Sequence, residues 1–196
     1  MSGWTTITGR AVALPQANID TDQLIAARFM SAPRSEGYGR FLLHDARQDQ
    51  ADHVLNRYDR ADVLVTRRNF GSGSSREAAV YALVDFGIKA VFAPSFGDIF
   101  ASNAVNNGLL PARLTEDEIE ILIGQMGQDD APATVDLISG TAVIGGHKMS
   151  FDLDPAWQQK LVNGWDDIDL TAQHSDQITK FRAARFAAHP WALPAS

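Results

Sequence analysis

Residues 61–93 read ADVLVTRRNFGSGSSREAAVYALVDFGIKAVFA, and this stretch decides the fold. Residues 61–67 are mostly aliphatic or β-branched, which predicts a buried strand. The glycine-punctuated turn at 69–75 leads into helical spacing at 76–87, and a second aliphatic strand is predicted at 89–93. A strand, a helix and a further strand in immediate succession indicate an α/β protein.

The helix in this stretch has recognisable ends. Ser74 or Ser75 is predicted to cap its start, because a serine side chain accepts a hydrogen bond from a free backbone N–H of the first turn. Gly87 stands where many helices end in the left-handed conformation that glycine adopts easily. One face of the helix is predicted to be buried, and it carries Ala79, Leu83 and Phe86.

Strands and helices continue to alternate outward from this stretch. A strand is predicted at 5–14, and Thr115 with Glu118 forms a capping box at the start of a later helix. The other predicted elements are a helix at 95–108, an extended segment at 109–114, strands at 133–138 and 147–153, and helices at 155–163 and 175–188. This order predicts a single domain with a mixed sheet covered by helices.

Composition narrows the functional classes. The 196 residues carry a net charge of −7 without any basic run, which disfavours binding to nucleic acid or to an anionic membrane. The chain has no cysteine, so disulfides are excluded, as is an iron–sulfur cluster or thiolate zinc site held by this chain alone. Neither a signal peptide nor a membrane-spanning run is recognisable, and a cytoplasmic location is expected.

The turn before the helix has the features of an anion site. Gly71 and Gly73 allow the backbone to approach a ligand closely, and Ser74, Ser75 and Arg76 follow at the helix start. A helix N-terminus favours negative charge, and an arginine side chain matches the geometry of a carboxylate. An ordinary glycine turn before a helix has the same pattern, so the pattern alone leaves both interpretations open.

The remaining polar clusters are less specific. The segment NIDTDQ at 18–23 is typical of a solvated turn, and Arg34 in SAPRSEG is typical of a surface charge. The five histidines lack the spacing of metal ligands, and Asp166 and Asp167 are better explained by a loop with a helix cap.

Four separated motifs together resemble one family. They are NIDTDQLIAARF at 18–29, NFGSGSSREAAVYAL at 69–83, GIKAVFAPSFGDIFASNAVNNGLLP at 87–111 and GWDDIDLTAQHSDQITKF at 164–181. In this order they resemble the small subunits of 3-isopropylmalate dehydratases, which are related to the swivelling last domain of aconitases. Four motifs in register are far more specific than one.

The resemblance implies a fold and a partner. The expected fold is a single three-layer β/β/α swivelling domain over residues 1–196, with a mixed sheet and a C-terminal helical extension at about 155–196. The implied enzyme is a hydro-lyase that interconverts 2-isopropylmalate and 3-isopropylmalate in leucine biosynthesis. A large subunit would carry a 4Fe-4S cluster with one open iron, whereas this chain would bind no metal, and the two would form a heterodimer or a higher assembly.

The resemblance also implies roles for individual residues, with a small hydroxy-dicarboxylate as the substrate. Ser74 would be the catalytic base, and Ser75 and Arg76 would bind a substrate carboxylate. The other residues implied to contact the substrate are Asp20, Thr21 and Asp22, which match a motif lining the site, and Arg34, which lies in a loop facing the substrate's side chain.

A serine base requires help from beyond its own helix. A helix N-terminus contributes about 0.3–1 kcal/mol, whereas lowering a pKa by one unit takes about 1.4 kcal/mol. We therefore expect the isolated chain to be inactive and to depend on Arg76 and on the partner's cluster.

Several positions depart from the family pattern, and these departures keep alternatives open. Ala78 replaces a usual histidine, Ser72 a usual cysteine, and Ala26 and Val80 usual prolines. The chain could instead serve a hydro-lyase for another substituted malate, such as 2-methylmalate or dimethylmalate. A third hypothesis is a non-catalytic regulatory subunit that retained the fold, although the intact Ser74, Ser75 and Arg76 argue against it.

Overall fold

One mixed sheet of seven strands organises the protein. A computed structural model describes residues 2–58 and 60–192. The strands lie in the order β4-β3-β2-β1-β5-β6-β7. Strands β4, β3, β2 and β1 are parallel to one another, whereas the pairs β1–β5, β5–β6 and β6–β7 are antiparallel. The strands are β1 (Thr6–Leu14), β2 (Val63–Thr66), β3 (Ala90–Ala93), β4 (Leu110–Arg113), β5 (Ala131–Asp136), β6 (Thr141–Ile144) and β7 (His147–Ser150).

Helices occupy the connections from β1 to β5 and the segment that follows β7. They are α1 (Thr21–Leu24), α2 (His44–Asp49), α3 (Val54–Arg57), α4 (Glu77–Phe86), α5 (Asp98–Asn106), α6 (Glu116–Met126), α7 (Pro155–Asn163), α8 (Asp167–Ala172) and α9 (Ser175–Ala188). Short 3-10 turns occur at Ala27–Phe29, Arg34–Glu36, Gly39–Phe41 and Pro190–Ala192. Within the described part of the chain, none of these helices is long and apolar enough to cross a membrane.

The central strands are buried on both faces, and this produces two cores. Leu64 and Val91 point to the outer core, where α4 and α5 cover the sheet. Val63, Val65 and Phe92 point to the inner core, which α6 and strands β5, β6 and β7 enclose. Burying a large aliphatic or aromatic side chain stabilises the fold by about 1.5–3 kcal/mol, so both cores contribute to the free energy of unfolding.

The sheet curls so that its two edges approach each other. Arg113 at the end of β4 forms an antiparallel bridge with Asp152, which lies just beyond β7. The rings of Phe92 and Phe151 meet edge to face with centroids 5.8 Å apart. Strands β5–β7 thus form a layer over the parallel strands, while α4 and α5 form the layer behind them. The expected β/β/α arrangement with a mixed sheet is confirmed.

Local sequence signals identified most of the longer elements but missed strand β6 and the short helices α1, α2, α3 and α8. Thr115 and Glu118 form the predicted capping box at the start of α6, and Gly87 ends α4 with a φ of +113°. The prediction of only two strands beyond residue 130 is wrong, because Thr141–Ile144 forms β6 between them. This strand has only four residues, and the turns on either side of it are dense enough in glycine to hide it.

Candidate active site

The polar segments that follow β1, β2 and β3 meet at one edge of the sheet. The carboxyl ends of parallel strands lie together, and ligands of α/β proteins commonly bind there. The backbone N–H of Gly71 donates to the Ile19 carbonyl at 2.7 Å, which joins the segment after β2 to that after β1. The N–H of Phe70 donates to the Ser95 carbonyl at 3.1 Å, and this joins it to the segment after β3. The three segments therefore form one surface.

Gly71 is required where this surface rests on the outer core. Its φ is +69°, and a Cβ built on it would lie 2.2 Å from the ring of Phe100. That ring is held edge to face by Phe70, with centroids 5.3 Å apart, and stacks with Phe96. A buried floor of three aromatic rings thus supports the turn that carries the serines.

The serine–arginine turn, which comprises residues 72–76, differs from the sequence-based prediction in how it leads into α4. The prediction that Ser74 or Ser75 caps α4 is wrong, because the N-cap residue is Arg76 and the cap has no side-chain hydrogen bond. The N–H of Arg76 donates to the Ser74 carbonyl at 2.8 Å, which turns the chain tightly before the helix. Both serine side chains are exposed, and neither hydroxyl has a hydrogen-bond partner among residues 2–58 and 60–192, so both are available to a ligand.

The Asp20–Thr21–Asp22 segment packs directly against this turn. Asp22 forms an ion pair with Arg76, whose side chain is only 22% exposed. Thr21 is buried, and its hydroxyl donates to the Ser74 carbonyl at 3.0 Å. Asp20 caps α1 and also forms a parallel bridge with Ser72. Six of the seven sequence-predicted site residues thus lie together: Asp20, Thr21, Asp22, Ser74, Ser75 and Arg76.

Arg34 is the predicted site residue that lies apart. Its guanidinium donates to both carboxylate oxygens of Asp85, at 2.6 and 2.9 Å, and lies 4.4 Å from the centre of the Tyr81 ring. Asp85 is eight residues beyond Glu77 on α4, which at 1.5 Å per residue is about 12 Å along the helix. Arg34 is therefore anchored at the far end of α4 from Arg76.

The residues that hold the Arg34 loop were not identified from the sequence. Asp85 also accepts the backbone N–H of Tyr38 at 2.7 Å, so one carboxylate fixes both ends of the 34–38 loop. Burial, followed by the negative charge of Glu77, raises the pKa of Tyr81. Tyr81 and Asp85 are one helical turn apart on α4, and that spacing was the available signal that they act together.

The chain does not offer the ligands of an iron–sulfur cluster. It has no cysteine, and its described residues contain no group of three or more histidine, aspartate or glutamate side chains arranged to hold a metal ion. The site instead offers hydroxyl groups and a guanidinium, which suit a carboxylate substrate.

The first 117 residues identify the class of protein. Residues 1–117 match the family of the aconitase C-terminal domain. This span contains residues 18–23 and 69–76, the two segments that carry the six predicted site residues lying together. The curled mixed sheet and the serine–arginine turn at its edge thus define an aconitase-type C-terminal domain.

The relatives narrow this class further. The chain is 44% identical to the 3-isopropylmalate dehydratase small subunit of Shewanella sp. (strain W3-18-1), over 92% of this chain and 96% of that protein. It is 42% identical to the small subunits of Shouchella clausii and Granulibacter bethesdensis, over 88% and 97% of this chain and 91% and 96% of those proteins. The chain belongs to the family of 3-isopropylmalate dehydratase small subunits.

A solved structure agrees with this assignment. The 3-isopropylmalate dehydratase of Methanocaldococcus jannaschii superimposes with a TM-score of 0.68 at 28% identity. The match covers 89% of this chain and 99% of that protein. A small subunit implies a large-subunit partner, which the family name itself indicates.

Proposed function

We propose that this chain is the small subunit of a 3-isopropylmalate dehydratase. The enzyme would be a hydro-lyase that interconverts 2-isopropylmalate and 3-isopropylmalate by dehydration and rehydration, in leucine biosynthesis in the cytoplasm. The observation that carries the proposal is the pair of exposed hydroxyls of Ser74 and Ser75, which have no hydrogen-bond partner in the described part of the chain, beside a partly buried Arg76. Relatives at 42–44% identity that bear this name support it.

Each residue of the turn has a chemical task in this proposal. Ser74, in its ionised form, takes the proton from the carbon next to a substrate carboxylate. The hydroxyl on the neighbouring carbon leaves with the electrons of its C–O bond, so that proton and hydroxide together make up the water that is lost. The partner's cluster would supply the Lewis acid for this leaving group, and rehydration returns the proton and the hydroxyl. As the proton leaves, negative charge builds on the substrate carboxylate, where Ser75 donates a hydrogen bond and Arg76 supplies a fixed positive charge. Asp20 and Thr21 shape the wall of the site, and Asp22 orients the Arg76 fork through their ion pair.

Arg34 enters this proposal only through an exchange of partners. Its guanidinium is bidentate to Asp85, so it reaches a substrate carboxylate only if the substrate replaces Asp85. The 34–38 loop that Asp85 fixes would then adjust to the substrate's alkyl group.

The partner subunit is essential to the proposed activity. We place the 4Fe-4S cluster on the large subunit, since this chain has no cysteine to hold it. Arg76 is already paired with Asp22, and a helix N-terminus contributes only about 0.3–1 kcal/mol to the ionisation of Ser74. The isolated chain is therefore expected to be inactive.

The test is turnover by the assembled enzyme. The chain is co-expressed with its large subunit, purified without oxygen, and assayed for dehydration of 3-isopropylmalate. Loss of the base typically lowers kcat by about 100-fold or more, so we expect at least this loss for Ser74→Ala. Ser150→Ala is the matched control, because Ser150 is an exposed serine on edge strand β7 and should leave kcat unchanged.

Three results would contradict parts of the proposal. An active Ser74→Ala complex would remove the base assignment and favour a regulatory subunit. A complex that acts on 2-methylmalate or dimethylmalate but not on 3-isopropylmalate would replace the substrate while keeping the reaction class. Turnover by the purified, iron-free chain would remove the requirement for the partner.

A further inference from the structure

Thr21 is a buried residue whose hydroxyl and backbone N–H are both directed at the serine–arginine turn, while its carbonyl accepts the N–H of Ile25 at the end of α1. It is 1% exposed. Its hydroxyl donates to the Ser74 carbonyl at 3.0 Å, and its backbone N–H donates to the Ser72 carbonyl at 2.9 Å. A side chain that is this deeply buried offers a substrate almost no surface, so we expect its main effect on catalysis to pass through the turn.

The hydroxyl of Thr21 acts on the part of Ser74 that sets the direction of its side chain. The carbonyl carbon and the Cβ of Ser74 are both bonded to the same Cα, so holding the carbonyl limits the backbone rotation that would redirect the Cα–Cβ bond from which the Oγ projects. The Ser74 side chain is exposed and makes no hydrogen bond of its own among the described residues. The other hydrogen bond to its carbonyl comes from the N–H of Arg76 within the same turn, so Thr21 is the residue that ties this carbonyl to another segment. We propose that Thr21 is a positioning residue that holds the Ser74 hydroxyl in place for proton transfer.

The surrounding structure fixes Thr21 itself. The Asp20 side chain accepts the N–H of Gln23 at 2.8 Å, and the Gln23 side chain accepts the N–H of Asp20 at 2.9 Å. This capping box sets the first turn of α1, and the buried side chain of Leu24 anchors it to the outer core. Asp22, the residue after Thr21, forms the ion pair with Arg76. The first turn of α1 therefore positions both Ser74, the proposed base, and Arg76, the proposed ligand of the substrate carboxylate.

The chain provides a closely matched control for this inference. Thr66 at the end of β2 is also fully buried, and its hydroxyl also donates to a backbone carbonyl, that of Gln16, at 3.0 Å. Its partner lies outside the serine–arginine turn. Replacing either threonine by valine removes a buried hydroxyl of the same kind and keeps the side-chain shape, so only Thr21→Val should affect the chemistry.

The experiment measures kcat and KM of the complex with the large subunit, per assembled and folded enzyme. This inference rests on the proposed function, so wild-type turnover of 3-isopropylmalate and its loss in Ser74→Ala are established first. Misplacing a reacting group by about 1 Å can cost about 100-fold, and we expect Thr21→Val to lower kcat by at least about tenfold. KM should change by less than about threefold, and Thr21→Ser should restore kcat because it keeps the donor.

The outcomes separate the two proposals. If the wild-type complex is inactive on 3-isopropylmalate, the proposed function fails. If it is active and Thr21→Val keeps the wild-type kcat, the positioning role is wrong. It is also wrong if Thr66→Val loses as much kcat as Thr21→Val, or if Thr21→Ser is as poor as the valine variant. Should Thr21→Val not assemble, Thr21→Ala removes the same donor and is held to the same criteria.

Discussion

Gly71 shows how one residue couples the site to the core beneath it. Its φ of +69° is costly for any side chain, and the ring of Phe100 occupies the space that a Cβ would need. Phe100 cannot move aside easily, because it is buried between two other aromatic rings. The sequence indicated a turn glycine here, but the aromatic floor involves a residue 29 positions away in the chain and could not be predicted.

Gly71→Ala should therefore destabilise the protein strongly. The left-handed backbone costs about 1–2 kcal/mol and the forced repacking about 1–3 kcal/mol, which together give about 2–5 kcal/mol. Denaturation in urea measures the free energy of unfolding. Gly124→Ala is the control, because Gly124 lies within α6 and no atom of the described residues lies within 4 Å of the position of an added methyl group. Alanine should therefore stabilise the protein at this position by about 0.5–1 kcal/mol. Equal effects of the two substitutions would contradict the role of Phe100.

At the scale of elements, His53 caps the short helix α3 and makes the stability of the fold depend on pH. It is 6% exposed, and its Nδ1 accepts the backbone N–H of Leu55 at 3.2 Å, which caps α3. Burial lowers the pKa of His53, as do the positive charges of Arg47 and Arg57, while Asp52 acts in the opposite direction. The folded protein therefore favours the neutral form of the His53 ring over the protonated form.

This arrangement predicts a loss of stability in mild acid. The ordinary pKa of histidine is about 6.5, so below this pH the unfolded chain binds a proton at His53 that the folded chain resists. The contribution of His53 is complete above that pH and falls as the pH falls. Urea denaturation at about pH 7.5 and 5.5 should show a smaller decrease for His53→Asn than for the wild type, since asparagine caps without titrating. An equal decrease in both proteins would contradict the assignment.

The predictability of an element depended on whether its signals were local. The capping box of α6 was predictable because Thr115 and Glu118 are three residues apart and interact directly. The start of α4 was not, because Thr21 and Asp22, more than 50 residues away, fix the serine–arginine turn ahead of the helix. Strand β6 was missed because four residues contain too little alternation to distinguish a strand from a long turn.

At the scale of the whole molecule, the sequence predicted which segments form the site but not how they are joined. The motifs at 18–23 and 69–76 were recognised separately, and the parallel order of β1 and β2 brings them together. Arg34 was grouped with them, yet a pairing with Asp85, 51 residues away, holds it at the other end of α4. Such pairings depend on how helices pack on the sheet, and the sequence alone does not specify them.

The expected C-terminal extension consists of two physically different parts. Helix α7 belongs to the fold, because Leu161 is fully buried and the Lys160 ammonium pairs with Asp167 and bonds Asn106 at 3.0 Å. Helix α9, which the structure describes throughout, has no buried residue and exposes Phe181. Isolated helices of this length are only marginally stable in water, so α9 adds little to the stability of the domain.

A chain that ends at His174 should therefore be as stable as the full chain. Removing α9 takes away no buried residue, although Ile178 and Phe186 are only 41% and 44% exposed. Changes at the surface usually alter the free energy of unfolding by less than about 0.5 kcal/mol. Leu161→Ala is the control within the same extension, and it should cost about 2–5 kcal/mol because it opens a cavity in the inner core. Urea denaturation of the three proteins compares them directly. A loss above about 1 kcal/mol on truncation would mean that α9 packs more closely on the domain in solution than its exposure indicates, because a loss of that size requires apolar surface to be removed from water.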